Sequence, residues 1–198
     1  IKATVVAVVG AVVFGLVFGV GRLLPNPLVR GVSAVIVEFC RAVPVLLLMI
    51  FFWRWFAFAG LPSPSYWAVV LALVLYNGSV VAELVRSGVG NLPGGQREAS
   101  LSMGFSETKT MWFVVIPQAI KNILPALGNE FIMIIKDTSL ASTFFVGDLM
   151  TQYLVVKGAT MRPIEPLVIV GVIYFLMTFT LSKVFGHFEK KLQRSDRR

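Results

Sequence analysis

Lys136 and Asp137 stand side by side at the end of "GNEFIMIIKDTS", an apolar stretch that also carries Asn129, Glu130 and Met133. On a helix these five residues fall within about 120° of one another, with Phe131, Ile132 and Ile135 on the other side. An ionisable side chain in lipid costs several kcal/mol unless it meets water or a partner. The chemistry open to such an arc is therefore the guiding of a polar solute through an apolar medium. A second reading stands beside it, in which Lys136 and Asp137 satisfy backbone groups at a break in the helix.

Covalent and metal chemistry find no comparable set. Cys40 is the single cysteine and His187 the single histidine, among ten acidic residues. These supply no internal disulfide, no nucleophile with its base, no carboxylate pair and no metal site. No phosphate loop of the form G-x-x-x-x-G-K-[ST] occurs, so the chain carries no ATPase of its own. Three other polar groups lie in apolar surroundings. Glu83 and Arg86, three apart, face the same side of a helix and read as a scaffold ion pair, the alternative being a substrate contact. Asn77, Gly78 and Ser79 suit close helix packing or the lining of a cavity. Arg54, between Trp53 and Trp55, either snorkels to the surface or binds substrate.

The elements that position these residues follow from composition. With 57% hydrophobic and 14% charged residues over 198 positions, the chain has more apolar surface than a soluble domain could bury, and its solvent is lipid. The fold class is all-α, a polytopic membrane protein. A hydrocarbon core takes about 20 helical residues, and five stretches qualify: 3–21, 38–59, 65–86, 117–145 and 164–185. The residues 22–33, with two prolines, and 147–163 read as connections. "SPSYW" should start the third span, with Ser63 as cap and Pro64 in the first turn. Cys40 and Met49 read as apolar filler. The sequence opens at Ile1 in an apolar run with no Met, so residues before it are expected; the run reads as a true span, being too long for a signal-peptide core.

Charge orients the spans. Of 18 basic residues, thirteen (Arg22, Arg30, Arg41, Arg86, Arg97, Lys109, Lys121, Lys183, Lys190, Lys191, Arg194, Arg197 and Arg198) fall on one side. Lys2, Arg54, Lys136, Lys157 and Arg162 lie on the other side or within spans. The basic side faces the cytoplasm, with the Ile1 end outside and the basic tail "HFEKKLQRSDRR" inside. The net charge of +8 is thus a flanking charge of the membrane, and nucleic acid is not expected as a partner.

That orientation puts the polar insert between the third and fourth spans, in the stretch 94–122, in the cytoplasm. Gln96 to Met103 read as a short exposed helix ended by Gly104 in a left-handed cap. Ser106 then caps a restart with Glu107 in its first turn. The plain alternative is a helical surface loop without a partner.

"EASLSMGFSETKTMWFVVIP" resembles the EAA loop of binding-protein-dependent ABC importer permeases. Glu98, Ala99, Gly104, Val114, Ile116 and Pro117 fall on its spacing, with Ser100 in place of the usual third alanine. "FCRAVPVLLLMIFF", "YNGSVVAELVRSGV", "IPQAIKNILPALGNEF" and "KDTSLAS" are similar to the polar-amino-acid branch, and "YNGSVVAELVRSG" to glutamate permease subunits of actinobacterial type.

The resemblance implies a MetI-like permease fold with a cytoplasmic coupling helix, residues 1–198 forming one transmembrane domain and about 88–116 its coupling loop. It implies that Gln96 to Gly104 sit in a groove of a separate ATPase, with Arg97 and Glu98 as polar contacts, Ala99 and Ser100 allowing close approach, and Gly104 making the turn. It places Asp137, Thr138 and Ser139 on the substrate pathway. It implies partners: two ABC ATPase subunits that bind ATP and Mg, a second permease subunit, identical or not, and an extracytoplasmic solute-binding protein. The implied function is ATP-driven uptake of a polar amino acid, glutamate first, by alternating access. A secondary transporter or channel would also bury charges, but it needs no cytoplasmic helix at EAA spacing.

Overall fold

The structure is a computed structural model that describes residues 2–195, with side chains to 190. Ile1 and the last three residues of the basic tail lie outside the described residues. All regular structure among the described residues is helical: α1 (Lys2–Gly21), α2 (Pro27–Ala42), α3 (Val45–Phe58), α4 (Pro64–Gly90), α5 (Gly94–Ser102), α6 (Glu107–Thr110), a π turn (Met111–Val115), α7 (Ile116–Asp137), a 3₁₀ turn (Thr138–Phe144), α8 (Leu149–Thr160) and α9 (Ile164–Ser195).

Four helical segments are long and apolar enough to cross a membrane: α1, α4, Glu107–Phe144 and Ile164–Lys190. The bent pair α2 and α3, which meet at 100°, makes a fifth span if the two count as one. This corrects the expected straight span 38–59. Pro44 lacks an N–H and pushes the preceding residue into extended backbone, and Val43 accordingly sits at φ −85°, ψ 127°. The expected connection 22–33 is also largely helical. Asn26 accepts hydrogen bonds from the N–H groups of Leu28 (2.9 Å) and Val29 (3.3 Å), and Pro27 occupies the first turn, where its missing donor costs nothing. Ser63 does not cap α4: its φ of 52° is left-handed and its side chain makes no cap bond, whereas capping needs extended backbone. Pro64 begins α4 as expected. The expected loop 147–163 contains α8, capped by Asp148, which accepts from the Thr151 N–H at 2.8 Å.

The centre is α4, against which α1, α2, α3 and α7 pack. On α1 the small residues Ala7, Ala11, Gly15 and Gly19 recur every four positions and are all buried. They let the two backbones approach until a Cβ on Gly15 would lie 2.3 Å from Val81 Cγ1. Leu48 and Met49 of α3, Leu73 of α4 and Ile134 of α7 complete the core. Cys40 and Met49 are both buried in it as apolar filler. α9 leans on α7 where Phe185 covers Gly128, and most of its remaining apolar surface is exposed. Along α4, the Pro64 end adjoins the end of α7 and α8, and the Gly90 end leads to α5. The polar insert therefore stands beyond the Gly90 end of α4, whereas Asp137 lies beside Asn77, midway along that helix.

Candidate functional site

The polar insert folds as a closed hairpin. α5 ends in a Schellman arrangement, with the Phe105 N–H donating to the Ser100 carbonyl (3.2 Å) and the Gly104 N–H to the Leu101 carbonyl (2.9 Å). Gly104 sits at φ +85°, a conformation open to glycine at little cost. Ser106 caps α6 through the Lys109 N–H. Two side-chain links then join the arms. Arg97 Nη2 donates to both oxygens of Glu107, at 2.6 and 2.8 Å, and the Ser100 and Thr110 hydroxyls meet at 2.9 Å in a buried position. The face left open presents Gln96, Glu98, Ala99 and Met103. Met103 is 78% exposed, and Glu98 has no hydrogen bond or ion pair among the described residues.

In the fourth span the arc divides. Asn129, Met133 and Lys136 lie in a row on the open side of α7, whereas Glu130 is buried and Asp137 half-buried toward α4. Asn77 of α4 donates to the Leu73 carbonyl at 3.1 Å, and its side chain neighbours Asp137. The α-helix gives way to the 3₁₀ turn directly after Asp137. There the buried Thr138 donates to the Ile135 carbonyl (2.6 Å), and Ser142 donates to the carbonyl of the half-buried Ser139 (2.8 Å). A cavity of about 900 Å³ opens between the start of α1, the end of α7, α8 and α9. Of the predicted pathway residues only Thr138 lines it, together with Lys2, Asp148 and Gln152.

The remaining polar groups meet neighbours within the bundle. Gly78 packs under Phe14, where a Cβ would meet the ring at 2.8 Å, and Ser79 donates to the Tyr76 carbonyl at 2.6 Å. Arg54 lies over the Trp53 ring, 5.8 Å from its centroid. Glu83 pairs with Arg86 as expected (2.5 Å), but it also receives Arg22 of the α1 terminus at 2.7 Å and Arg41 of α2 at 3.8 Å. That network ties α1, α2 and α4 together. It was not legible in the sequence, because Arg22 and Glu83 are 61 residues apart. The Arg97–Glu107 and Ser100–Thr110 links were missed for a related reason: each spans ten residues, across a turn whose angle only the fold sets. Among the described residues no group of three or more His, Cys, Asp or Glu could hold a metal ion.

The chain is thus a bundle of helices long and apolar enough to cross a membrane, with a closed polar hairpin at one end and polar residues along an open helix face. Residues 11–194 match the family described as binding-protein-dependent transport system inner membrane component. The chain is 35% identical over 196 residues to the glutamate transport system permease protein GluD of Corynebacterium glutamicum, covering 98% of this chain and 72% of that one. It superposes on the crystal structure of an amino acid ABC transporter with histidines at a TM-score of 0.91 and 36% identity, covering 96% of this chain and 89% of that one. Against the inward-facing MetNI methionine ABC transporter the TM-score is 0.80 at 18% identity, over 96% and 91% of the two chains, a likeness of fold. The chain belongs to the inner-membrane component family of binding-protein-dependent transport systems, as a permease subunit of its polar-amino-acid branch. The resemblance noted in the EAA-type loop and the expected MetI-like fold are borne out.

Proposed function

We propose that this permease carries glutamate inward across the cytoplasmic membrane, paired with a second permease subunit and driven by two ATPase subunits that bind ATP and Mg. Residues 1–198 act as one transmembrane domain and 88–116 as its coupling loop. The observation that carries this reading is the open face of the hairpin, Gln96, Glu98, Ala99 and Met103, held by a closed turn and left exposed among the described residues. Arg97, Ser100 and Gly104 shape that face. The excess of basic residues on the hairpin's side supports a cytoplasmic position for it, and an extracytoplasmic one for Lys2 and α8, toward the solute-binding protein.

Four or five crossings enclose no pore, so the row Asn129, Met133 and Lys136 faces a path completed by the second permease subunit. Glu130, Asp137, Thr138 and Ser139 form its supporting side. Lys136 supplies a counter-charge for an acidic amino acid. ATP binding draws the two ATPase subunits together, moves the hairpins with them and turns the cavity outward; hydrolysis reverses the motion. This is alternating access by rigid-body rotation between two packings.

The test is ATP-driven uptake into proteoliposomes holding both permease subunits, the ATPase and the binding protein, with a panel of competing amino acids. Glutamate should compete best. Glu98→Ala should reduce binding-protein-stimulated ATP hydrolysis and weaken ATPase retention, the loss of one charge-assisted contact being worth about 1–3 kcal/mol. Full coupling in Glu98→Ala contradicts the handle; best competition by another amino acid contradicts the substrate.

A further inference from the structure

The two arms of the hairpin are joined unequally to the membrane. On the α4 side the connection runs through Asn91, Leu92 and Pro93 into Gly94 and Gly95, and Pro93 offers no side-chain cap. A Cβ on Gly90 or Gly95 would touch nothing within 4 Å. On the other side α5 packs on α6 and the π turn, and its Schellman turn and both side-chain links fasten it there. From Glu107 the helix then continues to Asp137 without a break. The π turn absorbs Pro117, which has no N–H to give to the Phe113 carbonyl. At 1.5 Å per residue this helix is about 45 Å long.

We propose that Arg97–Glu107 and Ser100–Thr110 are a positioning clamp that makes α5, α6 and α7 one lever, so that motion delivered to α5 reaches Asn129 through Asp137 along α7. The proposal rests on the coupling role proposed for α5. It assigns Arg97 and Ser100 a different task from that of Glu98: they hold the handle, and Glu98 meets the ATPase. The bidentate guanidinium–carboxylate geometry fixes orientation as well as distance. Both partners are about half or more exposed, at 52% and 64%, and an exposed pair of this kind adds little to stability. Loss of the clamp should therefore leave a folded subunit that transmits poorly.

The experiment uses the assembled complex in proteoliposomes with radiolabelled L-glutamate, or L-glutamine where wild type prefers it, and reads substrate transported per ATP hydrolysed. Arg97→Glu and Glu107→Arg alone should each lower that ratio at least fivefold. The double variant Arg97→Glu/Glu107→Arg should return it to within twofold of wild type. Where a single variant also loses ATPase during purification, the double should regain it. Single variants at the wild-type ratio overturn the clamp. A double variant as poor as the singles also overturns it, and places Arg97 on the ATPase surface. Glu98→Ala, run in parallel, separates the failures: if it is fully coupled the handle itself is wrong, and if it alone is defective the handle stands without the clamp.

Discussion

Replacing Gly15 by alanine tests the contact between α1 and α4 on which the scaffold depends. The added Cβ would lie 2.3 Å from Val81 Cγ1, 2.5 Å from Val81 Cβ and 3.0 Å from the Gly78 carbonyl oxygen. Ordinary carbon contacts are about 3.5–4.0 Å, and Val81 Cβ and the Gly78 carbonyl are fixed to the backbone, so no rotamer change relieves the clash. The helices must separate by about 1 Å. Overpacking of this kind costs about 1–3 kcal/mol, and immobile neighbours put Gly15 near 3. A helical Gly→Ala change also brings a gain of about 1 kcal/mol in propensity. Gly31→Ala supplies the reference, since its Cβ would meet nothing within 4 Å. In detergent-solubilised complex, Gly15→Ala should unfold below Gly31→Ala by roughly 6–12 °C, at about 2–4 °C per kcal/mol for a chain of this size. Equal melting of the two variants refutes the argument.

Glu83→Gln removes the charge shared by Arg22, Arg41 and Arg86. Because Glu83 keeps 23% of its side chain exposed, the cost is discounted from the fully buried case to about 1–3 kcal/mol; the yield of folded complex should fall while uptake per complex holds. Asp137→Asn preserves volume and the Asn77 neighbour. It should change uptake or amino-acid preference at full yield, and unchanged uptake and preference at full yield removes Asp137 from the path. Gly104→Val forces a β-branched side chain into φ +85°, a strain of about 1–3 kcal/mol. It should impair ATP-coupled uptake more than membrane insertion, and normal coupling contradicts the hairpin's role.

The sequence was most readable where chemistry is local. Gly104 and Ser106 occupy the turn and cap their types suggested, because those preferences act within four residues. The break at Pro44 was present as a proline inside an apolar run, but hydropathy outvoted it. Asn26–Pro27 carried a helix-start signal that the neighbouring Pro25 made look like loop. Ser63 preceded a proline as a cap should, but the turn at Gly60, with φ +69°, delivered it in the left-handed region. The helical wheel placed Glu130 and Asp137 at one edge of the arc; which edge faces α4 depends on packing with Asn77 and cannot be read from α7 alone. Likewise, Arg97 showed a charge on an exposed helix, and only the closed turn reveals Glu107 as its partner.

The most direct test of the handle uses thiol accessibility. Cys40, the single cysteine, is 5% exposed, so cysteines introduced one at a time at Ala99 of α5 and Gln152 of α8, both exposed, can be followed with a membrane-impermeant maleimide. Ala99→Cys should label only in inside-out vesicles stripped of the ATPase and be protected when the ATPase is added back. Gln152→Cys should label from outside in intact cells whether or not the ATPase is bound. Labelling of Ala99→Cys in intact cells, or equal labelling with and without the ATPase, contradicts the account.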